Sequence, residues 1–230
     1  MTTIDPTATG STAHQDGGVR PKWPLYGVGA GLLGAIATLF ADVRSGTQQR
    51  EFVDATITDE VSRGIAHLGL VTGFATVVLL LVLAAAWRRQ VEPRVPGSTA
   101  AYVVSGALTA SAAGLTYGYG WKGAMAIYLP TGMDKKSFGE DGLFVYYMLN
   151  DFGGFIGWLG VVVAAGAVAW MALRERTVSR WIGWVSLVPV LAVVLFAGIT
   201  GLPGFQGVVG PVWMLVAFLG LALGRSAIVR

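Results

Sequence analysis

Six apolar runs, at 23–41, 64–87, 99–120, 143–173, 181–200 and 208–224, occupy most of this chain and leave it few folds to choose from. The first, Trp23 to Ala41, passes 19 residues without a charge. At about 1.5 Å of helix rise per residue, that is enough to cross a hydrocarbon core about 30 Å thick. Charged residues make up only 13% of the chain and hydrophobic ones 54%, whereas a soluble domain carries about 25% charge. A surface so short of charge has lipid as its solvent. The expected fold is all-α: a polytopic membrane protein, a six-transmembrane-helix bundle over 23–230, behind a disordered cytoplasmic tail at 1–22 too polar to bury a core.

The punctuation between runs supports that division. Ala35-Ile36-Ala37 has the small-x-small form of a signal-peptide cleavage site, but the preceding tail is long and barely basic. Gly27, Gly31 and Gly34 suit packing in a retained helix. In the polar stretch 42–63, Phe52, Val53, Ile57 and Val61 recur near helical spacing. They predict a short amphipathic helix at the interface or over the bundle mouth, starting at Thr58 with Asp59 and Glu60 in its first turn. Arg88-Arg89 closes the second run, and QVEPRVPGS is a linker. The third run is rich in Ala, Ser, Thr and Gly, which predicts a central position in the bundle. Residues 121–142, broken at Pro130-Thr131-Gly132, have room for a short interfacial or re-entrant helix. Pro189 predicts a kink in the fifth span.

Orientation follows from basic residues. With the tail, the 88–98 and 174–180 loops and the C-terminus on one side, that side holds ten Lys and Arg against four Asp and Glu; the other holds six against nine. The Lys/Arg bias puts both termini in the cytoplasm. It also explains the net charge of +3, so no nucleic-acid partner is implied. The expected partners are the lipid bilayer and other membrane chains, or further copies of this one.

The inventory excludes much chemistry. With no cysteine and two histidines, His14 and His67, no haem, iron–sulfur or thiolate metal site is expected. P-loop, GxSxG, HExxH and CxxC signatures are absent, and an enzyme is not expected. Candidate chemistry lies where ionisable residues fall inside apolar runs, because such a residue costs about 2.5–3.5 kcal/mol or more at mid-membrane. Asp151 is the leading one, roughly 12 Å of helix rise inside the fourth span. Asn150 adjoins it, and Tyr147 and Tyr146 precede the two by one turn. His67, a turn inside the second span, is a packing residue or a ligand. Lys122, beside Tyr117, Tyr119 and Trp121, either snorkels to the interface or pairs with Asp151. A metal set drawn from His67, Asp42, Asp54 and Asp151, with Glu60 nearby, is a further alternative. Met125, Met133 and Met148 form no Met-x-x-Met cluster. GxxxG spacings at 27/31, 69/73, 114/118, 153/157 and 220/224 predict helix packing.

Arg180-Trp181-Ile182-Gly183-Trp184 opening the fifth run, Gly210-Pro211 near the sixth and the six-run pattern resemble uncharacterised actinobacterial integral membrane proteins. The resemblance implies a bacterial inner-membrane setting and no particular site residue. Three function classes follow. The first is a protein with an outward-facing polar pocket that binds or translocates a small solute, ion or proton. The others are a non-catalytic subunit or scaffold of a larger membrane complex, and a metal-binding membrane protein using His67 and nearby carboxylates.

Overall fold

The computed structural model describes residues 21–43, 54–224 and 226–229. The expectations for the tail and for Phe52 and Val53 therefore lie outside the described residues, save for Pro21 and Lys22. Within them the fold is all-α. Seven α-helices follow in order: Pro24–Ala35 (α1), Arg63–Gln90 (α2), Thr99–Tyr128 (α3), Glu140–Ile156 (α4), Leu159–Leu173 (α5), Arg180–Thr200 (α6) and Gln206–Leu223 (α7). Four segments are long and apolar enough to cross a membrane: Arg63–Arg94, Glu140–Leu173, Arg180–Thr200 and Gln206–Leu223. Pro24–Phe40 is apolar but shorter.

Local chemistry sets the ends of these helices. Pro24 occupies the first turn of α1, where its missing N–H removes nothing. Ser62 Oγ accepts the Ile65 N–H at the start of α2, and Ser98 Oγ accepts that of Ala101 at the start of α3. Arg88 and Arg89 sit in the last turn of α2, where cations complement the helix dipole. Gly201 closes α6 in the left-handed conformation, φ 70°.

Helix α3 packs against α2, α4 and α5, and α1 lies between α2 and α7. The central place expected for the third run is thus observed. Its small residues allow near-backbone contact: a Cβ on Gly118 would come within 2.1 Å of the Gly153 carbonyl oxygen, and one on Gly160 within 2.2 Å of that of Ala107. By contrast α6 presents Val188, Val194, Leu195 and Ile199 outward, Ile199 at 81% exposure. A row of this kind suits lipid contact rather than water. At one end of the bundle lie the α2–α3 and α5–α6 loops and the segment after α7. There Arg94 donates to the Ile228 carbonyl, Ser98 to Glu175, and Ser179 pairs with Ser226.

Two expectations for the opposite end need correction. No separate interfacial or re-entrant helix occupies 121–142; α3 simply continues to Tyr128. Nothing from Trp121 to Tyr128 breaks a helix, and the stop comes where Pro130 forces Leu129 into extended backbone (ψ 160°). The short helix in 42–63 is a 3₁₀ segment, Ala55–Glu60, and it starts at Asp54 rather than Thr58. Asp54 accepts both the N–H and the hydroxyl of Thr56, a local turn that competes with a longer helix. Its Ile57 and Val61 are buried with Val43, Ala66, Met125, Leu129, Leu143 and Tyr147, closing the bundle mouth.

Candidate functional site

The polar centre of this protein is built where α1 loses its regular winding. Ile36–Phe40 form a π-turn. In an α-helix the Ala41 N–H would bond the Ala37 carbonyl; here it reaches one residue further back, to Ile36, at 2.7 Å. Ala37 O is thereby released, and Ala41 O, at the helix end, also lacks an intrahelical donor. Both are taken by one side chain. Lys122 of α3, 2% exposed, donates from Nζ to Ala37 O at 2.5 Å and to Ala41 O at 2.7 Å. A lysine thus caps the C-terminus of a helix more than eighty residues away in sequence.

Three neighbours shape the space. On α2, Gly69 admits the lysine stem: a Cβ there would stand 2.7 Å from Lys122 Cδ. One turn on, Gly73 likewise admits the Tyr119 ring. On α4, Gly154 lies against both, 3.8 Å from Tyr119 Cε1 and 3.9 Å from Lys122 Cε measured from an added Cβ. Beneath the lysine a second polar knot ties three segments. Tyr119 Oη and Thr38 Oγ1 are 2.8 Å apart, and Trp158 Nε1 donates to Thr38 Oγ1 at 3.1 Å. Trp158 stands at the break between α4 and α5, its ring admitted by Gly34 of α1. The break leaves N–H groups at the start of α5 without intrahelical partners; Ser111 Oγ accepts that of Val161 at 2.8 Å.

One atom nearby is unsatisfied. Asn150, 2% exposed, sits one turn before Gly154 on the buried face of α4, and its Oδ1 has no hydrogen-bond partner among the described residues. The only other such buried atom there is Trp23 Nε1, at the opposite end of the bundle. A buried amide oxygen without a donor is costly.

The structure divides the residues expected to form one site. Asn150 and Tyr147 face inward, and Tyr147 is 5% exposed. Asp151, 100° further round the helix, is half-buried. It lines a depression of about 430 Å³ with Phe155, Phe196, Leu202 and Phe205, beside the α6–α7 turn. Tyr146 is half-buried in an aromatic group with Tyr128 and Phe138. His67 is exposed on α2, and Arg63 before it donates to the Ala126 carbonyl, capping α3. Lys122 neither snorkels nor turns to Asp151, because the carbonyls at the end of α1 take its amine. No group of three or more His, Asp or Glu close enough to hold a metal occurs among the described residues. The set His67, Asp42, Asp54 and Asp151 is therefore not assembled. A groove of about 590 Å³ between α3 and α4–α5, lined by Gly114, Phe152, Gly157 and Val163, is apolar.

No known protein family, curated protein or solved structure matches this chain.

Proposed function

We propose that this chain is a six-span protein of the bacterial inner membrane, both termini cytoplasmic, that binds or translocates a small ion, proton or solute through a polar site in its outer half. Four long apolar helices support the membrane setting. Thr99–Tyr128 and Pro24–Phe40 complete the six. The first has 30 residues, and its polarity suits a helix shielded from lipid by its neighbours. The second spans about 25 Å as a helix. The excess of Lys and Arg on the side of the 88–98 and 174–180 loops sets the orientation.

One observation carries the functional part: a lysine buried on α3 and held on carbonyls that the π-turn at the end of α1 has released. Charge buried in a membrane protein is expensive unless it is used. Broken helices whose free carbonyls face a cation are the usual construction of ion sites in membrane transporters. Asp151, at its own depression beside the α6–α7 turn, supplies a second candidate group for the path. The test is flux in proteoliposomes under imposed pH, Na⁺ or K⁺ gradients. Wild-type protein is expected to exceed protein-free vesicles at least several-fold, with Lys122→Met abolishing the flux and Asp151→Asn reducing it. Background flux from wild type removes the reading, and full flux from Lys122→Met moves it to another site.

A further inference from the structure

The depression beside the α6–α7 turn joins one acid to a wall of rings. Four of the chain's ten phenylalanines, Phe152, Phe155, Phe196 and Phe205, line it with Asp151. Asp151 and Phe155 stand one turn apart on α4, hence on one face. Phe155 is let in by Gly207 of α7, where an added Cβ would stand 2.5 Å from Phe155 Cδ1. Gly204 keeps the turn close to Phe155 and Phe152, whose nearest atoms lie 3.8 and 3.9 Å away by the same measure. Gly201, in the left-handed conformation (φ 70°), reverses the chain after α6. Phe205 thereby comes back onto Phe196, ring centroids 4.5 Å apart and planes 20° from parallel. From Pro189 to Thr200, Phe196 is the one aromatic residue of α6, and it is the one that lines the depression.

This lining selects a class of ligand. An acid repels anions. Calcium and magnesium ions take about six or more oxygen ligands, and among the described residues Asp151 is the only ionisable one in the lining. A purely apolar solute gains nothing from a carboxylate. A cation inside an apolar shell suits both parts: ring faces attract it through their quadrupole, and the carboxylate balances its charge. Aromatic walls hold quaternary ammonium groups for this reason. A carboxylate has about four acceptor sites, so a bond within the protein leaves room for this second partner. The volume, about 430 Å³, lies within the range of about 300–1,000 Å³ usual for small-molecule pockets. In the proposed orientation, acidic residues on this side outnumber basic ones nine to six, which draws cations toward it. We propose that this depression binds an organic cation, a quaternary ammonium or comparably shielded amine, with its charge beside Asp151 and its apolar shell against Phe155, Phe196 and Phe205. The inference rests on the proposed solute-binding reading and names the class of solute.

The test uses the full chain in detergent micelles. Choline is the probe, and dimethylbutanol, in which a carbon replaces the charged nitrogen, is its uncharged counterpart. Binding is read from saturation transfer between the protein and the probe's methyl protons. Wild type is expected to bind choline saturably and at least about tenfold more tightly than the alcohol. Asp151→Asn keeps the outline of the side chain; it should weaken choline at least about tenfold and leave the alcohol unchanged. Phe196→Leu keeps an apolar wall without a ring face and should weaken choline about threefold or more. That substitution lies on the sparsely packed α6, so the proposal stays falsifiable if the asparagine variant fails to fold. Absence of saturable choline binding by wild type overturns it, as does equal binding of the two probes or undiminished binding by either variant. Choline binding without flux of any ion keeps this site and removes translocation from the broader reading. Ion flux that Lys122→Met abolishes, without choline binding, does the reverse.

Discussion

The two ends of the bundle solve the same problem differently. At the end holding the basic loops, polar side chains pair in closed contacts. Ser98 Oγ donates to Glu175 Oε2 and Ser105 Oγ to Glu92 Oε1, each at 2.6 Å, while Arg94 binds the Ile228 carbonyl. These groups join the α2–α3 loop, α3, the α5–α6 loop and the segment after α7 into a clasp. In the other half Lys122 also finds acceptors, but they are backbone carbonyls at the end of α1, one of them freed by a π-turn, and Asn150 Oδ1 on α4 is unmatched among the described residues. Each end also keeps one buried side-chain atom without a partner among the described residues, Trp23 Nε1 at the first and Asn150 Oδ1 at the second. What separates the ends is the buried lysine held on released backbone carbonyls.

The largest expected effect of substitution is at Lys122. Lys122→Met keeps the stem's volume but leaves Ala37 O and Ala41 O buried without donors, at about 1–3 kcal/mol each. Relief from burying an ammonium offsets part of this. The variant should lose about 2–4 kcal/mol, read as a lowered unfolding midpoint in detergent. If it matches wild type, the carbonyls have another donor and the lysine is not what holds α1 to α3. Next comes Ser98→Ala at the clasp, which removes both the cap on α3 and the bond to Glu175. The expected loss is about 1–2 kcal/mol, read in the same way. A loss as large as that of Lys122→Met would erase the contrast between the two ends.

What could be read from residue order alone was whatever is local. Most apolar runs became helices within three residues of their expected limits, because Pro24, Ser62, Ser98 and Gly201 act on their immediate neighbours; the third ran eight residues past Gly120 to the stop before Pro130, and the fourth broke into two helices at Gly157-Trp158. Glycines 69, 73, 118 and 153 were rightly expected to mark close packing, although their partners could not be named. The site was legible only in part. Ile36-Ala37-Thr38-Leu39-Phe40 looks like ordinary apolar helix, and nothing in it announces a π-turn. Lys122, among aromatic residues near the end of a span, has the composition of an interfacial snorkel. Its burial depends on a glycine of α2 and the winding of α1, both distant in sequence. Asn150 was noticed as the neighbour of Asp151, yet adjacent helical positions point 100° apart. The acid drew attention by its charge, while the amide was the residue that faced inward.

The smallest expected effect is the most discriminating. Leucine has the branched outline of asparagine but bulkier ends, so Asn150→Leu removes the orphaned acceptor without opening a cavity, at the cost of some overpacking. Where a buried polar atom makes no bond, apolar replacement is neutral or slightly stabilising. The two effects oppose each other, and the variant should unfold within about 1 kcal/mol of wild type in detergent. A loss above about 3 kcal/mol would mean that the amide holds protein. That half of the bundle would then be a clasp like the one among the basic loops.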